Sequence, residues 1–232
     1  MDAAPELKLA AAIVEVSRDL ARTVPPPREA PYFCLDSDAA YDLSVLGSFS
    51  ARGIFRKYEF ALDVGSGLGG RARWLAARFG CRILGVEPRP AMVAAANLLN
   101  RRARMDEQVA FQVARLDRLP LRSRLFTHVW MVDLPDAEPS ATTCAEGFRV
   151  LRPGGHFAMQ SLELRPAARD LWLSTLAAVG YVNLEVHEVG CAEPPPPCRL
   201  ARDRLRATVM GSAPTTSEPP TAAVQIFATR PA

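Results

Sequence analysis

The sequence predicts an α/β fold: a doubly wound, mostly parallel sheet of seven strands preceded by an N-terminal helical extension. Five short apolar runs (Phe60 to Val64, Arg82 to Val86, Val109 to Val113, Phe126 to Val132 and His156 to Ser161) alternate with helical stretches. Parallel strands need a crossover of a dozen residues or more, usually a helix, and right-handed crossovers place helices on both faces. Two later runs, Val182 to Val189 and Val224 to Thr229, bring the strands to seven. Asp63-Val64-Gly65-Ser66-Gly67-Leu68-Gly69-Gly70 turns the first strand directly into a helix, as open α/β sheets do at a ligand site.

Taken in order, residues 5 to 22 place Leu7, Leu9, Ala12, Ile13, Val16, Leu20 and Ala21 at helical spacing, and Pro25-Pro26-Pro27 ends that helix. Asp36-Ser37-Asp38 offers a cap for a second segment through Leu46 and Phe49 towards Phe55. Residues 1–57 therefore read as a helical extension or lid, and 58–232 as the core. Within the core the helices are Gly70 to Phe79, Arg89 to Arg104, Ser140 to Leu151 (stopped by Pro153-Gly154-Gly155) and 166 to 179. Between the last two strands lies an insertion, 190–222. It holds Pro194 to Pro197, a basic helix from Arg199 to Met210, and a Ser-, Thr- and Pro-rich stretch, Gly211 to Thr221.

Composition narrows the functions. With 28 basic and 25 acidic residues the net charge is +3, too small an excess for a nucleic-acid footprint, so a small molecule is the expected partner. The start, Met1-Asp2-Ala3-Ala4-Pro5-Glu6, has no secretory pattern and no long uncharged apolar run follows, so the reading is cytoplasmic with no membrane span. Cys34, Cys81, Cys144, Cys191 and Cys198 are widely spaced without a Cys-x-x-Cys pair, which predicts reduced thiols and no metal site. Oligomeric state is not legible.

A strand that turns through glycines into a helix leaves backbone N–H groups at the helix start and lets a nucleotide-like ligand approach closely. Gly65-x-Gly67-x-x-Gly70 also fits a dinucleotide fingerprint, with Glu87 as the ribose acid. Asp63 argues against that option, because a carboxylate at the strand end attracts an ammonium and repels a pyrophosphate.

Asp63 to Gly69 resembles the acidic-x-Gly-x-Gly-x-Gly motif of class I S-adenosylmethionine-dependent methyltransferases. Val86-Glu87-Pro88 resembles their second-strand end, and Phe148 to Gly155 their turn before strand five. The resemblance covers roughly residues 58 to 163 and is closest to the small-molecule group. It implies a Rossmann-like fold and S-adenosylmethionine as cofactor. By the same resemblance Asp63 orients the methionine ammonium, Gly65, Ser66, Gly67 and Gly69 admit the cofactor, Glu87 accepts the ribose hydroxyls and Pro88 lies beside adenine.

Two departures stand out. Ala114-Arg115 occupies the place of the family's adenine-binding acid, so that end falls either to Asp117 or to backbone groups of Arg115 and Leu116. Thr127 stands where a supporting Asp is common. Asp133 and Asp136, after the fourth strand, and Tyr41, in the extension, are the candidates to hold or deprotonate an acceptor, each with a bland solvated or packed reading beside it. His128, His156 and His187 read as structural. The expected activity is methyl transfer to an O, N or C nucleophile of a small molecule. A degenerate member serving as a binding or regulatory partner, and an NAD-dependent oxidoreductase, are the alternatives.

Overall fold

The computed structural model describes residues 5–23, 43–53, 56–132, 139–162, 164–191, 203–204, 207–208 and 222–232. Its strands are β1 (Phe60–Val64), β2 (Arg82–Glu87), β3 (Val109–Val113), β4 (Phe126–Val132), β5 (Leu151–Leu162), β6 (Val182–Gly190) and β7 (Ala222–Thr229). Its helices are α1 (Pro5–Thr23), α2 (Leu43–Gly53), α3 (Gly70–Phe79), α4 (Pro90–Ala103), α5 (Ala141–Val150) and α6 (Pro166–Val179). The strand order is β3-β2-β1-β4-β5-β7-β6. β1 to β5 run parallel, and β7 is antiparallel to both of its neighbours. The order reverses between β1 and β4, and open α/β sheets bind ligands in the crevice at the carboxyl ends of such strands.

Strand alternation divides β1 cleanly. Ala61 joins the cluster formed with Trp74, Ala76 and Phe49 of α3 and α2, while Leu62 and Val64 join the cluster under α5 and α6. Asp63 lies between them in sequence and therefore shares the α3 face, directly beside Trp130 in the register of β4. Trp130 is fully buried and meets Phe49 of α2 edge-on, with ring centroids 6.3 Å apart. α1 packs outside the sheet layers, where Ala10, Ile13 and Val14 bury against Met92, Ala95 and Leu99 of α4 and against Leu68 of the glycine turn. Both N-terminal helices are thus built into the core's packing.

The element boundaries follow local chemistry. Gly80 and Gly180 end α3 and α6 in the left-handed conformation, and Pro stands at the first turn of α4 and α6. The Ser140 hydroxyl accepts from the Thr143 N–H to cap α5. Among the strands and the core helices, the largest boundary difference from the sequence reading is at β5, which begins at Leu151, not His156, so Arg152 to Gly155 lies inside the strand. Its register against β4 shifts between Phe126 and His128, and Gly154, at φ +69°, absorbs the extra residues. The C-terminal segment holds this irregularity in place: the Gly154 N–H donates to the Arg230 carbonyl at 3.0 Å and the Arg230 N–H to the Gly155 carbonyl at 2.9 Å. Of the basic helix expected at 199–210, only residues 203–204 and 207–208 are described, as helix. No helix among the described residues is long and apolar enough to cross a membrane.

Arginines close the carbonyl-rich corners. Arg149 donates to both oxygens of Glu146, at 2.6 and 2.8 Å, and to the Leu119 and Leu121 carbonyls, at 3.0 and 2.8 Å. Glu146 in turn accepts from the Leu119 N–H at 2.6 Å, so the segment between β3 and β4 is pinned to α5. Replacing Arg149 with alanine strands the carboxylate and both carbonyls. The expected loss is about 2 kcal/mol, read as a lowered urea midpoint with an unchanged slope.

Candidate functional site

The glycine turn between β1 and α3 is built by three left-handed residues: Gly65 at φ +76°, Gly67 at +54° and Gly69 at +80°. The N–H groups of Gly65 and Ser66 both donate to the Val86 carbonyl, at 2.9 and 3.0 Å, which fastens the turn to β2. Beneath it lies the ring of Phe111. A Cβ on Gly69 would overlap that ring, and so would one on Gly85. The turn therefore needs glycine twice over, for its backbone angle and for its floor.

Asp63 is fully buried, and neither carboxylate oxygen accepts a well-formed hydrogen bond. Burial pushes its carboxyl above the usual range. The Arg71 cation and the Trp130 indole N–H pull it partly back, and the Glu87 charge pushes it further up. A buried carboxylate with so little compensation favours a cation beside it. Glu87, at the end of β2, is almost as buried. One oxygen accepts from the Gly67 N–H at 3.2 Å; the other accepts from the Arg89 backbone at 3.2 Å and its guanidinium at 2.6 Å. Asp63, Gly65, Ser66, Gly67, Gly69 and Glu87 thus come together at one place, the carboxyl edge of β1 and β2, while Pro88 sits just beyond it on the surface.

The segment after β3 is arranged differently from the family pattern. The Arg115 guanidinium grips Asp117 with two bonds, at 3.0 and 2.7 Å, and holds its carboxyl below the ordinary value. Both side chains are exposed, and a bridge between Arg115 and Arg118 tightens the turn. Ala114 and Leu119 are buried and Leu116 packs partly against the α5 face. The remaining candidates, Tyr41, Asp133 and Asp136, lie outside the described residues.

Thr127 has a clear task. Its hydroxyl accepts from the Phe60 N–H at 3.1 Å and donates to the Phe60 carbonyl at 3.0 Å, tying the starts of β1 and β4 together. His128 is buried with its Nδ1 2.8 Å from the Glu59 carboxylate, far below the glycine turn, and His156 stacks on it at 5.2 Å. Arg71 and Arg73 escaped the sequence reading. Arg71 donates to the Gly65 carbonyl and the Val132 carbonyl, each at 3.0 Å; buried Arg73 donates to the Leu68 carbonyl at 2.9 Å. A signal was there, since two cations in the first turn of α3, with no acid, oppose the helix dipole and so call for specific partners.

Residues 62–159 match the family model described as a methyltransferase domain. Over those residues, from β1 to β5, the chain is similar to a methyltransferase domain. Methyltransferases of this kind are enzymes whose cofactor is S-adenosylmethionine. Among similar curated proteins, methyltransferase GfsG of Streptomyces halstedii is 30% identical over 127 residues, 53% of this chain and 44% of that one. Tocopherol O-methyltransferase of Arabidopsis thaliana is 33% identical over 101 residues, 43% of this chain and 29% of that one. The chain thus spans less than half the length of either relative. Among solved structures, the [4+2]-cyclase SpnF superposes with a TM-score of 0.67 at 17% identity, covering 100% of this chain and 98% of that one. The Haemonchus contortus phosphoethanolamine N-methyltransferase 2, in complex with S-adenosyl-L-methionine, gives 0.63 at 16%, covering 94% and 57%. At these identities the structures share the fold.

For this domain the glycine turn is the first test. Gly69→Ala should cost about 2 kcal/mol or more, because a left-handed alanine is strained and its methyl meets the Phe111 ring. Adding Phe111→Ala should return part of that loss in urea denaturation, whereas Phe111→Ala alone should only destabilise.

Proposed function

We propose that this protein transfers a methyl group from S-adenosylmethionine to an O, N or C nucleophile of a small molecule. The observation that carries the reading is Asp63: a buried carboxylate, short of hydrogen bonds, at the carboxyl edge beside the glycine turn. Its environment suits the ammonium of an amino acid. Glu87, twenty-four residues on and also buried, supplies carboxylate oxygens where a ribose would lie. Gly65, Gly67 and Gly69, which carry no side chains, let a nucleoside approach the backbone. The residues therefore fit S-adenosylmethionine, whose sulfonium supplies an activated methyl group when bound.

Little acid–base machinery is required of the chain. Near-attack positioning alone can contribute about 7 to 11 kcal/mol, so orientation by Asp63 and Glu87 and exclusion of water are the protein's main tasks. Asp133 follows β4 directly in sequence, and the end of β4 lies at the edge where ligands of this fold bind. With Asp136 and Tyr41 it is assigned to holding the acceptor or taking its proton. The similar proteins named for tocopherol, sterol and sarcosine support a small-molecule acceptor and show that the attacked atom varies between oxygen, carbon and nitrogen.

A second reading, a binding or regulatory protein on this fold, is favoured by one observation: Glu87 and Asp117 already carry the guanidinium groups of Arg89 and Arg115. Calorimetry separates the two. Saturable binding of S-adenosylmethionine and S-adenosylhomocysteine is expected, weakened about tenfold or more by Asp63→Asn and by Glu87→Gln, each of which removes a charge-assisted contact. Burial raises the Asp63 carboxyl, so its stability contribution is full below about pH 4, near the unfolded value, and falls as pH rises through its folded-state titration. A bound ammonium favours the ionised form, so affinity should rise over that same range. Absence of binding at millimolar ligand would overturn the methyltransferase reading.

A further inference from the structure

Two backbone carbonyls converge between β1 and β4. Gly65, at the first turn residue after β1, and Val132, at the end of β4, both direct their carbonyl oxygens at one cation, the Arg71 guanidinium, at 3.0 Å each. The two strands are adjacent and parallel, with Val64 registered on Met131, so these oxygens stand side by side at the crevice where the sheet order reverses. Behind them is the buried Asp63 carboxylate, whose largest stabilising neighbour is that same guanidinium. The two carbonyls form a cation site that feels the Asp63 charge, and a primary ammonium can donate to the same two oxygens as the guanidinium does.

Arg71 reaches this place at a cost. It stands in the first turn of α3, where the helix dipole disfavours positive charge, and that turn carries no acidic residue. A cation held there against the dipole marks a strong local demand for positive charge. Arg73, two residues on, answers a different demand at the Leu68 carbonyl inside the core.

We propose that Arg71 is an internal competitor for the ligand's α-ammonium group, and so sets how strongly this cleft prefers nucleosides that carry an amino acid over those that do not. The inference rests on the reading of the cleft as a site for S-adenosylmethionine and goes beyond it in assigning Arg71. A ligand ammonium takes the Gly65 and Val132 carbonyls only by displacing the guanidinium, since two cations cannot share these two acceptors without repulsion. A nucleoside without the amino acid leaves Arg71 where it is. The arginine therefore lowers the affinity of the first kind of ligand and leaves the second unchanged.

The test compares S-adenosylhomocysteine with 5′-methylthioadenosine, which has the same nucleoside and no amino acid, by calorimetry on the full chain and on Arg71→Ala and Arg71→Lys. For Arg71→Ala, binding of S-adenosylhomocysteine should tighten about tenfold relative to 5′-methylthioadenosine, the size of one charge-assisted hydrogen bond. Arg71→Lys, which keeps the cation, should stay near the parent ratio. An unchanged ratio in Arg71→Ala, or one that falls as it would if Arg71 instead held the ligand's carboxylate, overturns the proposal. If the parent chain binds neither ligand, the cofactor reading itself fails and this inference fails with it. Should Arg71→Ala fold poorly, Arg71→Gln, which keeps polar contacts to the carbonyls and removes the charge, is expected to show the same change in ratio.

Discussion

The placement of one carboxylate governs much of this molecule. Asp63 is carried into the interior by β1, on the face that holds Ala61 and Trp130, because strand alternation leaves it no other side. Leaving a charge there with few hydrogen bonds is costly, and the surroundings are arranged around that cost. Trp130 lies beside it and packs on Phe49, which anchors α2 to the sheet. Arg71 bends back from the first turn of α3 to the carbonyls above it, and the glycine turn closes over the top, tied to Val86 of β2. The same constraint that shapes the fold at this point gives the cleft its chemistry.

Much of the architecture could be read in the sequence, for a physical reason. Alternation of apolar runs with helical stretches is a short-range pattern, and all seven strands and the helices α3 to α6 fell within a few residues of their predicted places. The start of β5 did not, because Pro153, Gly154 and Gly155 are turn residues by local preference. Their strand state depends on hydrogen bonds to Arg230, some 75 residues away, which no local pattern reports. Asp63, Gly65, Gly67, Gly69 and Glu87 were legible because adjacent backbone positions create that part of the site. Arg71 and Arg149 were not, since a long side chain can point many ways and only the folded neighbours choose one. Asp117 illustrates the same point: its partner two residues away, Arg115, turned out to hold it with both guanidinium arms.

A pattern joins three acids that lie at or after the ends of β1, β2 and β3. Arg71 is the cation that acts most on Asp63, Arg89 is ion-paired with Glu87 and Arg115 with Asp117, so a ligand reaching any of these acids would compete with the chain's own charge. Such pairing orients the carboxylates, and it tempers affinity. The similarity in fold to a protein named as a [4+2]-cyclase shows why the site, not the topology, must carry the functional argument.

The most direct measurement is a crystal structure with S-adenosylhomocysteine bound. The account predicts the ribose hydroxyls within hydrogen-bonding distance of Glu87, with the Arg89 guanidinium moved from that carboxylate. It also predicts the α-amino group near Asp63 and the Gly65 and Val132 carbonyls. A nucleoside seated elsewhere, or an amino-acid end pointing away from Asp63, would contradict it.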